Sequence, residues 1–155
     1  MRAAKSWPRQ VLAALLTAAP FIARAATCQG EPTSARLEIV VDGVRSGHGL
    51  MTASLYADDP GQFLKKNGAI KVWRDAARAP GTTMCIWLPR PGTYAVAVYH
   101  DANSNQKLDI GPFGPREGYG FSNNARALFA LPTFEAARFV AKAGDTILHV
   151  RLRYP

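Results

Sequence analysis

The residues best equipped for chemistry lie in Asp101-Ala-Asn-Ser-Asn-Gln-Lys-Leu-Asp109. Asp101, Asn103 and Asn105 alternate, and Asp109 follows after a wider step. Hard cations such as calcium take about six to eight oxygen ligands, which short Asp and Asn side chains in a tight loop can supply. With Asp101 at the first position of an EF-hand-like loop, Asn103 and Asn105 take the third and fifth. Lys107 takes the seventh, which offers a backbone carbonyl, and Asp109 the ninth. Two positions break the pattern. Gln106 stands at the sharp turn that favours Gly, where a left-handed conformation costs another residue about 1–2 kcal/mol. Pro112 stands where a bidentate Glu would close the shell, and Glu117 is an acid that could return to fill it. A calcium site here is therefore expected to be weak, in the ~10⁻⁴–10⁻³ M range. The competing reading is a metal-free Asx-turn loop, in which Asp and Asn bond their own backbone.

A second constellation is Glu117-Gly-Tyr-Gly-Phe-Ser-Asn-Asn124. As a ligand-contacting loop it would stack Tyr119 and Phe121 on a sugar or peptide, with Glu117, Asn123 and Asn124 as polar contacts. As a structural plug it would cap the domain with Phe121 and Phe129 while Asn123 and Asn124 satisfy loop backbone; long loops need such internal packing. A third reading has Asn123 or Glu117 completing a metal shell.

Catalytic patterns are weaker. His100, Asp101 and Ser122 are the residue types of a hydrolase triad, but neighbours in a strand point to opposite faces. No Gly-x-Ser-x-Gly elbow occurs. His48, His100 and His149 lack the His-Glu-x-x-His spacing of a helical zinc site. The expectation is a protein that is not an enzyme. The alternative is a small periplasmic hydrolase using His100 with the 117–124 loop.

Short strands must position these residues. Leu37, Ile39 and Val41 alternate with polar neighbours, as do Met51, Ala53 and Leu55. Ile70–Arg74 and Met84–Leu88 read as strands, and Phe63-Leu64 as a short turn of helix. Pro89-Arg-Pro-Gly92 is a turn. Tyr94–Tyr99 is apolar on both faces, which suits a central covered strand. Residues 110–132 are rich in Gly and Pro without a clear period, and loops of that length tend to be functional. Phe139-Val140 and Leu148–Leu152 read as a closing hairpin, with His149, Arg151 and Arg153 on its outer face. Those cations, with Arg138 and Lys142, are read as a solvated face, and contact with anionic lipid is the other reading. The pattern predicts an all-β chain: one antiparallel sandwich of about seven strands, immunoglobulin-like or transthyretin-like.

Residues 1–25 read as a signal peptide. Arg2, Lys5 and Arg9 precede an apolar run, Val11–Ile22, too short to span a bilayer, and Ala23-Arg24-Ala25 fits the cleavage rule. Residues 26–155 form the expected domain. Thr27 before Cys28 disfavours lipidation. The full chain carries +8, but the leader holds four of the nineteen basic residues and no acid, leaving fifteen against eleven, or +4. That is mild solubility charge for a periplasmic or secreted protein, with no nucleic-acid partner and no membrane span. Export also places Cys28 and Cys85 where an even pair closes a disulfide.

Leu88-Pro-Arg-Pro-Gly-Thr-Tyr-Ala-Val-Ala-Val-Tyr-His-Asp101, Asn103, Asn105, Lys107-Leu-Asp109 and Pro115-Arg-Glu-Gly-Tyr-Gly-Phe-Ser-Asn-Asn-Ala125 together resemble the bacterial family called domain of unknown function 2141. The resemblance runs from about Cys28 to Tyr154 and is most specific over Glu117–Ala125. It implies a small exported β-sandwich and supplies no catalytic residues. Members often carry Asn-Gly where this chain has Asn105-Gln106, which weakens the metal reading. The resulting expectation is an exported, non-enzymatic binding or envelope-associated module. Its partner would be an envelope component, a peptide or a glycan, and calcium would stiffen the Asp101–Asp109 loop.

Overall fold

The computed structural model describes residues 27–126 and 131–155. The expected leader and the packing expected of Phe129 lie outside the described residues. The long strands are β1 (Ala35–Asp42), β2 (Leu50–Ala57), β3 (Lys71–Ala76), β4 (Gly81–Trp87), β5 (Gly92–Asp101) and β10 (Gly144–Arg151). Between the last two come the short β6 (Ile110–Gly111), β7 (Gly114–Pro115), β8 (Tyr119–Phe121) and β9 (Phe139–Ala141), with one helical turn, α1 (Phe134–Ala137).

Two sheets face each other, as the alternating pattern requires. One has the order β10-β1-β4 and the other β3-β2-β5-β8, with β9 on β5 as well. The short β8 and β9 share one edge of β5, opposite Ala97–Tyr99 and Gly92–Tyr94 respectively. The interior receives Leu37, Ile39, Val41, Met84, Ile86, Leu148 and Val150 from the first sheet. Met51, Leu55, Val96 and Val98 meet them from the second. Each large aliphatic side chain fully buried here stabilises the fold by about 1.5–3 kcal/mol.

The all-β sandwich matches the expectation, with two differences of pairing. β1 and β10 run parallel, Ala35 opposite Gly144 through Asp42 opposite Arg151. The expected closing hairpin does not form: β9 pairs with β5 in one sheet, while β10 crosses to β1 in the other. Alternation fixes which side chains face the core, but not which strand lies alongside or in which direction.

β5 is covered on both faces, as its composition predicts. Tyr94, Val96 and Val98 join the main core, while Ala95 lies in a second cluster with Tyr56, Phe63, Phe121 and Phe134. Phe63 is the hub of that cluster, edge-on to Tyr56 at 5.1 Å and to Phe134 at 5.8 Å between ring centroids. Residues 63 and 64 form an irregular turn rather than the expected turn of helix. Burial pushes the Tyr56 phenol above its ordinary pKa.

Cys28 and Cys85 are disulfide-bonded, their Cα atoms 4.4 Å apart. Beside them the Gln29 N–H donates to the Cys85 carbonyl (2.8 Å), and the Trp87 N–H donates to that of Gln29 (2.9 Å). The N-terminal segment thus lies along the outer edge of β4. Among the described residues, no helix is long and apolar enough to cross a membrane.

Candidate functional site

β5 ends in two buried polar residues, His100 and Asp101. Asp101 organises the loop that follows. Its Oδ1 accepts the Asn105 N–H (2.9 Å) and its Oδ2 the Gln106 N–H (2.7 Å). Asn103 Oδ1 accepts the Asn105 N–H (3.1 Å), and Asn105 Oδ1 accepts the Lys107 N–H (2.9 Å). The two side-chain amides then donate to Asp109, Asn103 Nδ2 to Oδ2 (2.9 Å) and Asn105 Nδ2 to Oδ1 (3.0 Å). Ser104 and Gln106 take left-handed φ values of 58° and 62°. Gln106 therefore adopts the sharp-turn conformation its position demands, without the glycine that would ease it.

Glu117 does return to this loop. It is buried, 8% exposed. Oε1 accepts the Ala102 N–H (3.0 Å) and Oε2 the Asp109 N–H (3.1 Å), so one carboxylate ties both ends of the loop together. Asp101, Asp109 and Glu117 thus each have both oxygens on N–H donors. A calcium ion would need those oxygens turned to a common centre. Rotating Asn103 or Asn105 to offer its carbonyl would break an Asx turn and set N–H against N–H. Among the described residues, no group of three or more His, Cys, Asp or Glu is gathered so as to hold a metal. In this arrangement the side-chain oxygens of Asp101, Asn103, Asn105 and Asp109 accept hydrogen bonds from within the loop, from backbone N–H groups and from the two Asn amides.

His100 is 2% exposed. Its Nε2 meets the His48 carbonyl at 2.8 Å and its Nδ1 the Tyr154 hydroxyl at 2.8 Å. The carbonyl can only accept, so Nε2 carries hydrogen, and in the neutral imidazole Nδ1 then accepts from the tyrosine. Neither ring nitrogen is open to a substrate. Ser122, the hydroxyl of the hydrolase alternative, is fully buried. It donates to the Ala137 carbonyl (2.5 Å) and accepts the Val96 N–H (2.9 Å).

The 117–124 segment packs inward. Phe121 is 7% exposed in the second core, edge-on to Tyr119 at 5.9 Å. Tyr119 exchanges backbone bonds with Arg153. Asn123 Nδ2 donates to the Arg138 carbonyl (2.7 Å), and Asn124 Oδ1 accepts the Arg151 N–H (2.7 Å). These are the contacts of the plug reading: aromatics inside, amides on loop backbone.

Two surface features escape a search for motifs. The first is a cleft of about 310 Å³ lined by Asp42, Asn124, Arg126, His149, Arg151 and Arg153. Strand alternation puts His149 and Arg151 on one face of β10, Arg153 follows two residues beyond its end, and the 122–124 turn brings Arg126 across to them. Arg153 is steadied by the Asn124 carbonyl, 3.2 Å from Nη2. The ion pairs among the described residues are Arg36–Asp145 and Arg138–Glu135, so none of the three cleft arginines has a carboxylate partner. The second is the β6–β7 hairpin, whose tip leaves Phe113 wholly exposed (104%) and Ile110 64% exposed.

The fold is thus an all-β sandwich with a self-bonded Asx loop after β5 and a cluster of arginines along and beyond β10. The chain belongs to the family described as "Uncharacterized protein conserved in bacteria (DUF2141)", which matches residues 39–149. The match takes in the second half of β1, β2 to β5, the Asx loop and most of β10. No curated protein and no solved structure matches the chain.

Proposed function

We propose that this protein is an exported, non-enzymatic binding module of the bacterial envelope, and that it holds an oxyanion of the phosphate type between Arg126, Arg151 and Arg153. The observation that carries this reading is the convergence of three arginines, outside any ion pair among the described residues, on one concave site. Guanidinium groups present fixed forks of N–H donors that match the oxygens of phosphate, and their charge persists at any physiological pH. Asp42 is the single acid in the lining and leaves the cleft net positive. The absence of turnover is supported by the commitment of His100 and Ser122 to internal hydrogen bonds. Export is supported by the basic-apolar leader and by a disulfide, which persists in oxidising compartments.

Calorimetric titration of the mature protein with pyrophosphate at low salt tests the reading. Saturable binding is expected, weakened about tenfold or more by Arg151→Ala, since charge-assisted hydrogen bonds contribute about 1.5–3 kcal/mol. Titrations with no heat, or with the same affinity in Arg151→Ala, would overturn it.

A further inference from the structure

We infer that the phosphate received by this cleft belongs to a lipid headgroup, and that the β6–β7 hairpin enters the bilayer interface beside it. The inference rests on the arginine-cleft reading and adds the identity of the partner. Single exposed hydrophobic residues are ordinary on protein surfaces. This hairpin differs in arrangement. Ile110 and Phe113 project from a six-residue ribbon, Ile-Gly-Pro-Phe-Gly-Pro, without a charged side chain. Lys107 and Arg116, both exposed, stand at its base. An apolar tip above a collar of cations is complementary to a bilayer whose headgroups are anionic. The collar meets phosphates while the aromatic ring reaches the acyl boundary.

The hairpin is also held where such a contact needs it. The Arg116 N–H donates to the Asp109 carbonyl (2.8 Å), and Asp109 is in turn fixed by Glu117 and the two Asn amides. The Asx loop therefore acts as a rigid mount for the tip. Arg153 lines the basic cleft, and Pro155, two residues on, lines a hollow together with the hairpin residues Gly111–Arg116. At ~3.3 Å per extended residue, the rim of the cleft and the hairpin are within about 7 Å along the chain. The strand registers put the cleft and the hairpin at the same end of the sandwich, which thus offers an apolar wedge and a phosphate receptor. The acids nearby are bonded or outnumbered: Asp101 and Glu117 are buried on backbone N–H groups, the half-buried Asp109 is held by the Asn103 and Asn105 amides, and Asp42 faces three arginines in the cleft.

The test is co-sedimentation with vesicles of phosphatidylethanolamine and phosphatidylglycerol, against vesicles of phosphatidylcholine alone, alongside the pyrophosphate titration. Wild-type protein should sediment with the anionic vesicles and bind the zwitterionic ones at least tenfold more weakly. Phe113→Ser, at a position with no packing to lose, should reduce vesicle binding about tenfold while leaving pyrophosphate affinity unchanged. Arg151→Ala with Arg153→Ala should abolish both. Phe113→Trp should shift its emission to shorter wavelength on vesicles. Pyrophosphate binding without vesicle binding, or vesicle binding unaltered in Phe113→Ser, would overturn the lipid assignment and leave the cleft intact. Failure to bind pyrophosphate would overturn the cleft itself.

Discussion

Tyr154, the penultimate residue, closes the sandwich by donating its hydroxyl hydrogen to His100 Nδ1 at 2.8 Å. The two rings stand nearly perpendicular, 86°, with centroids 6.1 Å apart. The tyrosine ring also lies over Gly118, where an added Cβ would overlap it. The Arg45 guanidinium packs on its other face at 4.3 Å, a cation–π contact. A histidine that looks catalytic in the sequence is therefore the anchor of the C-terminus.

Tyr154→Phe keeps the ring and removes the hydroxyl. The loss leaves His100 Nδ1 buried without a donor and should lower stability by about 1–3 kcal/mol. Gly118→Ala should cost more, because the added Cβ would push the ring off its hydrogen bond to His100 as well as out of its packing. Urea unfolding of the two variants measures both, and equal midpoints for wild type and Tyr154→Phe would contradict the anchoring role.

Calcium should not change the stability of this domain. Thermal unfolding in millimolar calcium and in excess EDTA is expected to coincide. Asp101→Ala should lower the melting temperature in both buffers alike, by roughly 10 °C if about 3 kcal/mol of charge-assisted bonding is lost. A calcium-dependent rise that Asp101→Ala abolishes would instead establish a cation site, and its linkage curve would give the affinity.

Gln106 is held at φ 62° with its backbone N–H on Asp101. Relief of left-handed strain (about 1–2 kcal/mol) outweighs the added chain entropy of glycine (about 0.5–1 kcal/mol). Gln106→Gly should therefore stabilise the protein by up to about 1 kcal/mol. A chevron analysis would place that gain mainly in the unfolding rate if the loop closes late.

Reduction of Cys28–Cys85 should remove about 4 kcal/mol, the expected constraint of a crosslink across a sequence separation of 57. Amide exchange at Gln29 and Trp87 should accelerate first, since their mutual bridge is tied down by that crosslink. Unchanged exchange there after reduction would show that the N-terminal segment is held by the bridge alone.

Much of the fold was legible because a two-residue period states directly which side chains face inward. Leu37, Ile39 and Val41, the double-faced Tyr94–Tyr99 run and the cysteine pair all read correctly. Strand neighbours did not, because Leu148 and Val150 face the core whichever strand lies beside them. The Asx loop was legible as a loop with two readings. Glu117 was legible as an acid that could return to it, but its backbone partners, the Ala102 and Asp109 N–H groups, were not. The short β6 to β9 have too few residues to display a period. The arginine cleft joins Arg126 to Arg151 and Arg153, which only the paired left-handed Asn123 and Asn124 bring together.

The parallel ladder between β1 and β10 has a consequence for biogenesis. Arg36 and Asp145, bonded across it, are 109 positions apart in the chain. Contacts that distant are made late, because the loop between them must be gathered first. During synthesis β1 would emerge early and wait, one long edge open, until β10 (Gly144–Arg151) followed it. A chain cut short before Leu148 would leave that edge exposed for good, a ready template for pairing with another copy. Arrival of β10 is thus sensed by the fold itself, and a chain that lacks it is marked for aggregation or proteolysis by the open edge of β1.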